Sequence, residues 1–131
     1  MNIVNGLESI GDVIETIEGK LLDKKRGVED DLSREGKDEL REIHRMVCTE
    51  IEQLADALIE MDGRKAGLLL QGDDHFKLLV EQAETAHLKR VFLLPESERT
   101  HDIHMEIINL LQQVHHYCKS IAVSIPGSAG L

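Results

Sequence analysis

Apolar residues recur along this chain at alternating separations of four and three, the spacing that lines one stripe of an α-helix, and not at the two-residue period of a strand. Ile3, Leu7, Ile10, Ile14, Ile17 and Leu21 form the first series. Leu40, Ile43, Val47, Ile51, Leu54, Leu58 and Met61 form a second, and Ile107, Leu111, Val114, Cys118, Ile121 and Ile125 the last. Between these two, Ala66, Leu69, Phe76, Val80, Ala83, His87 and either Arg90 or Val91 trace a less regular inner face. Stripes joined by short connections bury themselves against their neighbours. The pattern therefore predicts an all-α fold, an antiparallel bundle of about four long helices.

Residues that start and stop helices fall between the stripes. Lys20, Lys24, Lys25 and Arg26 gather at the end of the first segment, where the helix dipole favours cations, and Gly27 to Leu32 reads as an acidic linker. Ser33 is a candidate N-cap, with Glu35 in the turn that follows. Asp62-Gly63 closes the second segment, Gly63 being free to take a left-handed turn. Gly67 and Gly72 each cost about 1 kcal/mol relative to Ala inside a helix, which predicts a kink near Gly72. Leu93-Leu94-Pro95 ends the third segment, since proline disfavours a helical residue before it. Ser97 or Thr100 caps the last one, which runs to Pro126-Gly127 ahead of a loose tail.

Composition narrows the partners. With apolar residues at 41% the chain of 131 residues can bury a core, and with aromatics at 2% that core is aliphatic. A formal charge of −10, without a basic cluster beyond Lys24-Lys25-Arg26, argues against nucleic acid as a partner. Cys48 and Cys118 stand alone in predicted helices, as reduced cysteines of a cytosolic protein do. No stretch approaches the roughly 18 apolar residues of a membrane helix, so direct membrane insertion of this segment is not expected.

Several stretches resemble a known family. Val4-Asn5-Gly6-Leu7-Glu8-Ser9-Ile10-Gly11-Asp12 is similar to the "L-E-R-I-G-D" signature that closes each three-helix repeat of the PhoU family of phosphate-signalling regulators. Leu32-Ser33-Arg34-Glu35-Gly36-Lys37-Asp38-Glu39-Leu40 resembles the "F-S-x-E-G-x-x-E-L" opening of the second repeat. Ala86-His87-Leu88-Lys89-Arg90 resembles a helix end reading "H-L-x-R-L". The final helix, with His104, Ile107, Ile108, Leu111, Val114, Ile121 and Ala122, resembles the one that follows it in PhoU-like domains fused behind bacterial sodium/phosphate cotransporters. The motifs are short, but together they span nearly the whole chain.

The resemblance implies one PhoU-like domain over 1–131: a first helix at 1–26 belonging to a preceding repeat, a linker at 27–32, a three-helix repeat at 33–126 and a loose tail at 127–131. It implies a non-enzymatic regulator of phosphate uptake or signalling, acting through a protein partner, either a transporter membrane domain or a signalling protein. The segment would lie on the cytoplasmic side, tethered by a membrane part that precedes residue 1. Because the first helix lacks the other two members of its repeat, its stripe has two ways to be covered: folding back onto the second repeat as a closed four-helix bundle, or meeting a second chain in a homodimer, which is the expected one.

In the family, the E-x-x-x-D pair of this signature ligates iron or zinc in some members, which makes Glu8 and Asp12 the candidate metal ligands. Four residues apart on a helix, both carboxylates share a face, and hard oxygens suit such ions. The matching positions near the C-terminus are Gln112 and His116, so the carboxylate pair is not repeated, and ordinary surface carboxylates are the competing reading. A metal-binding module whose occupancy controls association is the alternative function. The i, i+3 pair His101 and His104 and the i, i+4 pair His44 and Cys48 suit shared ligation, yet no HExxH and no paired Glu-x-x-His accompanies them. His87, on an inner face, reads as a hydrogen-bonded core histidine. Catalysis lacks a nucleophile with a base and oxyanion donors: Cys118 neighbours His115 and His116 but sits on a core stripe.

Overall fold

The computed structural model describes residues 3–24, 34–93 and 101–128, the side chains of 17–24 and 101–102 excepted. Helices make up 94% of the described residues, with no strand among them. They are α1 (Ile3–Lys24), α2 (Arg34–Glu60), α3 (Gly63–Gln71), α4 (Asp73–Leu93) and α5 (His101–Ser124). α3 and α4 are the two arms of the third predicted segment, broken at Gly72, so the architecture is four packed helices with a broken third. Gly72 closes α3 by donating its N–H to the carbonyls of Leu69 and Leu70. No helix among the described residues is long and apolar enough to cross a membrane.

α2 buries Gly36, Leu40, Ile43, Val47, Glu50, Leu54 and Ala57, an unbroken alternation of four and three. α4 buries Phe76, Val80, Ala83 and His87 in the same rhythm. α5 buries most of its circumference, with Ile108, Leu111, Val114, Cys118, Ile121 and Ala122 all at 4% exposure or less. The reason is its position: among the described residues α5 packs against each of the other four helices, whereas α1 packs against α5 alone. Side-chain pairs set the directions. Glu39 on α2 meets Arg90 on α4. Glu50 and Asp73, further along α2 and earlier on α4, meet at His115. α2 and α4 therefore run antiparallel.

The faces differ from the sequence expectation in two helices. On α1 the buried positions are Gly6, Ile10 and Val13, while Leu7 and Ile14 lie 46% and 39% exposed. α1 carries two adjacent apolar stripes and has one neighbour, so only one stripe finds cover. Ile17 and Leu21 lie outside the described side chains. On α2, Glu50 and Ala57 take core positions, Ile51 and Leu58 are half-buried and Met61 is exposed. A Glu on the core stripe has a partner that the hydrophobic pattern could not announce.

The α2–α3 corner also resolves differently. Met61, at φ 47°, takes the left-handed turn expected of Gly63. Asp62 caps α3, its carboxylate accepting from the backbone N–H of Arg64 and Lys65 at 2.9 and 3.4 Å. Gly63 is needed for proximity: a Cβ there would stand 2.3 Å from the Pro126 carbonyl oxygen. The same contact anchors the start of the predicted tail, where Ser128 is buried and its hydroxyl donates to the Val123 carbonyl. The candidate caps Ser33, Ser97 and Thr100 and the linker at 27–32 lie outside the described residues.

Two glycine substitutions should therefore have opposite signs. Gly63→Ala must displace backbone and should lower stability by about 1–3 kcal/mol. Gly11→Ala meets nothing within 4 Å on an exposed helix face and should raise it by about 0.5–1 kcal/mol. Urea denaturation of the two variants checks both; equal signs would refute this account of the corner.

Candidate functional site

Two polar clusters interrupt the aliphatic core, each built from one residue pair on α2 and α5 and closed by α4. Glu39 and Glu50 stand eleven residues apart on α2, as do His104 and His115 on α5. That separation is three helical turns, so both glutamates face α5 and both histidines face back.

In the first cluster the Arg90 guanidinium donates twice to Glu39, at 2.8 and 2.5 Å, a fork on a carboxylate. That hydrogen bond raises the already high Arg90 pKa, burial opposing it. His104 is fully buried, its Nε2 3.5 Å from Glu39 Oε1, and its ring stacks on His87 with centroids 4.0 Å apart. His87 and Arg90 reach this point together because i and i+3 share a helix face.

The second cluster is centred on His115. Its Nδ1 lies 2.8 and 2.7 Å from the two carboxylate oxygens of Glu50, and its Nε2 lies 2.7 Å from Asp73 Oδ1. With carboxylates on both sides, both ring nitrogens donate, so the ring is an imidazolium. Phe76 stacks on its face at 3.8 Å. Lys119 and Lys77 donate to Asp73 at 2.8 and 3.0 Å. Burial alone would raise the Asp73 pKa, but hydrogen bonds from Lys119, His115 and Lys77 outweigh it and hold the carboxyl well below the usual range. For His115, burial disfavours the charge, and the hydrogen bonds to Glu50 and Asp73 overcome this and raise its pKa.

Both nitrogens of His115 are committed to carboxylates, and burial pushes the Cys118 thiol up to about 12, far from thiolate chemistry. Glu8 and Asp12 lie exposed on α1. His44 and Cys48 are likewise exposed, with Sγ 3.6 Å from His44 Nε2. Among the described residues no group of three or more His, Cys, Asp or Glu converges to hold a metal ion. Sequence reasoning placed His87 and Arg90 inward and missed Glu39, Glu50, Asp73 and Lys119 as members of clusters. The shared eleven-residue spacing of Glu and His was the signal available.

Apolar surface forms the other distinctive feature. α4 is apolar on both sides: opposite its buried face lie Leu78, Leu88 and Phe92, the last 86% exposed. Thr85, Leu88, Lys89, Phe92 and Leu93 line a shallow depression of about 380 Å³. Compared with protein-family models, curated proteins and solved structures, the chain matches none of them.

Arg90→Ala strands a largely buried Glu39 carboxylate and should cost about 1–3 kcal/mol; Arg90→Ala/Glu39→Leu should recover part of that loss. Asp73 gives a pH signature. Its folded pKa is depressed, so its contribution is present above the unfolded value of about 3.9 and fades as pH falls below it. Asp73→Asn should flatten the acid limb of a stability–pH curve measured by urea denaturation. An unchanged limb would refute the assignment.

Proposed function

We propose that this chain is a non-enzymatic, PhoU-like regulatory domain of phosphate uptake or phosphate signalling, acting through protein–protein contacts at the cytoplasmic face of a sodium/phosphate cotransporter. The observation that carries this reading is a convergence. Four stretches bear the family resemblance, and three of them meet in one polar cluster: Glu39 from the stretch at 32–40, His87 and Arg90 from that at 86–90 and His104 from the final helix. Short motifs scattered by chance over three helices have no reason to meet. The succession of α2, the broken α3/α4 and α5, with α1 as an extra helix on α5, is also what one three-helix repeat plus the last helix of another requires.

The surface supports binding. Apolar side chains exposed together mark contact sites, and the outer face of α4 at Leu88, Phe92 and Leu93 is the most exposed such group. This is the face we assign to the protein partner. The second apolar stripe of α1, Val4, Leu7 and Ile14, is assigned to a homodimer.

A cellular assay tests the function. Removing the domain should alter phosphate uptake or the response to phosphate starvation. Complementation with Leu88→Glu/Phe92→Glu, which touches exposed positions only, should fail to restore it. Unchanged phosphate handling after removal overturns the reading. Light scattering tests the dimer separately: the mass should be twice 14.7 kDa, and Leu7→Glu/Ile14→Glu should halve it. A monomer at every concentration sinks the dimer and leaves the α4 surface untouched.

A further inference from the structure

We infer that protonated His115 is a latch on the joint between α3 and α4, closed while the ring carries its second proton and released when that proton leaves. The argument rests on the number of donors. A neutral imidazole keeps one N–H, and two carboxylates compete for it. Among the described residues Glu50 has His115 as its one hydrogen-bond donor, whereas Asp73 is also held by Lys119 and Lys77. The remaining proton therefore stays on Nδ1, with Glu50. The lone pair of Nε2 is then left facing Asp73 Oδ1 across 2.7 Å, a repulsive contact between two acceptors.

Asp73 is the part able to yield. It is the first residue of α4, immediately after the break at Gly72, and Lys77 and Lys119 are exposed enough to follow it outward. Glu50, by contrast, sits mid-way along α2 at 6% exposure. Loss of the proton thus acts on the start of α4, and with it on Phe76, which stacks on the ring. The groups that face His115 are few: Glu50 from α2, Asp73 and through it Lys77 from α4, and Lys119 on α5 itself. The buried faces of α3 (Ala66, Gly67, Leu69) and α1 (Gly6, Ile10, Val13) add no charge. Because the folded pKa of His115 is raised above its ordinary 6.5, the latch is fully closed below the unfolded value and opens as pH rises through the folded one.

The test uses the whole chain. Long-range ¹H–¹⁵N NMR of the His115 ring should show both nitrogens protonated below pH 6.5, its ordinary value. As the ring titrates, hydrogen-exchange protection at 73–80, corrected for intrinsic exchange, should fall while that at 43–54 in α2 holds. The fall should be about tenfold for each unit by which the pKa in the closed joint exceeds that in the open one. Glu50→Gln removes one of the anions that favour the charged ring, so opening should shift to lower pH. His115→Gln should abolish the pH dependence at the joint. One bare ring nitrogen below pH 6.5, loss of protection in both segments together, or an unmoved transition in Glu50→Gln would each overturn the latch. If His115→Gln does not fold, the native spectrum and Glu50→Gln decide.

Discussion

A carboxylate can be taken into a hydrocarbon core only if charged or polar donors come with it, and Glu50 is taken in. The penalty for an unpaired buried charge amounts to several kcal/mol, a large part of the stability of a domain this size. His115 has to lie opposite Glu50 and remain charged, and a charged ring has a second N–H to place, which brings in Asp73. Asp73 draws Lys119 and Lys77. One buried glutamate thereby fixes the relative position of α2, α4 and α5 and puts the start of α4 at a defined point. The other end of the bundle solves the same problem with Arg90 on Glu39, where the guanidinium is a donor that does not lose its charge.

Helix content and the break at Gly72 were legible in the sequence, because they follow from local spacing and from residues with strong backbone preferences. The faces were legible in some helices and not in others. α4 places Phe76, Val80, Ala83 and His87 inward as its spacing predicts. α1 does not obey its most apolar series, since Ile3-Leu7-Ile10-Ile14 and Ile3-Gly6-Ile10-Val13 are both helical stripes and side-chain size favours the wrong one. Packing against α5 selects the series with Gly6. For the clusters the difficulty is different in kind. A glutamate reads as a surface residue in any scale of hydrophobicity, and its burial is decided by a histidine 65 residues away.

Gly63 shows the same gap between local and tertiary reasons. From the sequence it is a turn residue; in the fold it is the place where the α3 start and the Pro126 turn touch, and the left-handed conformation falls on Met61. The turn at Pro126 and Gly127 is thus seated against the α2–α3 corner by an absent side chain.

The equal spacing of the two Glu–His pairs has a bearing on how these helices find one another. An apolar seam that alternates four and three repeats every seven residues, so α5 could slide along α2 by seven and still meet Leu and Ile with Leu and Ile. The polar pairs repeat at eleven, and no slide by seven brings either histidine back to a glutamate. Both would be stranded at once. The two clusters act together as a vernier on a seam that is otherwise indifferent to its register, so that the alignment of α2 with α5 is written in the four residues of the core that are least hydrophobic.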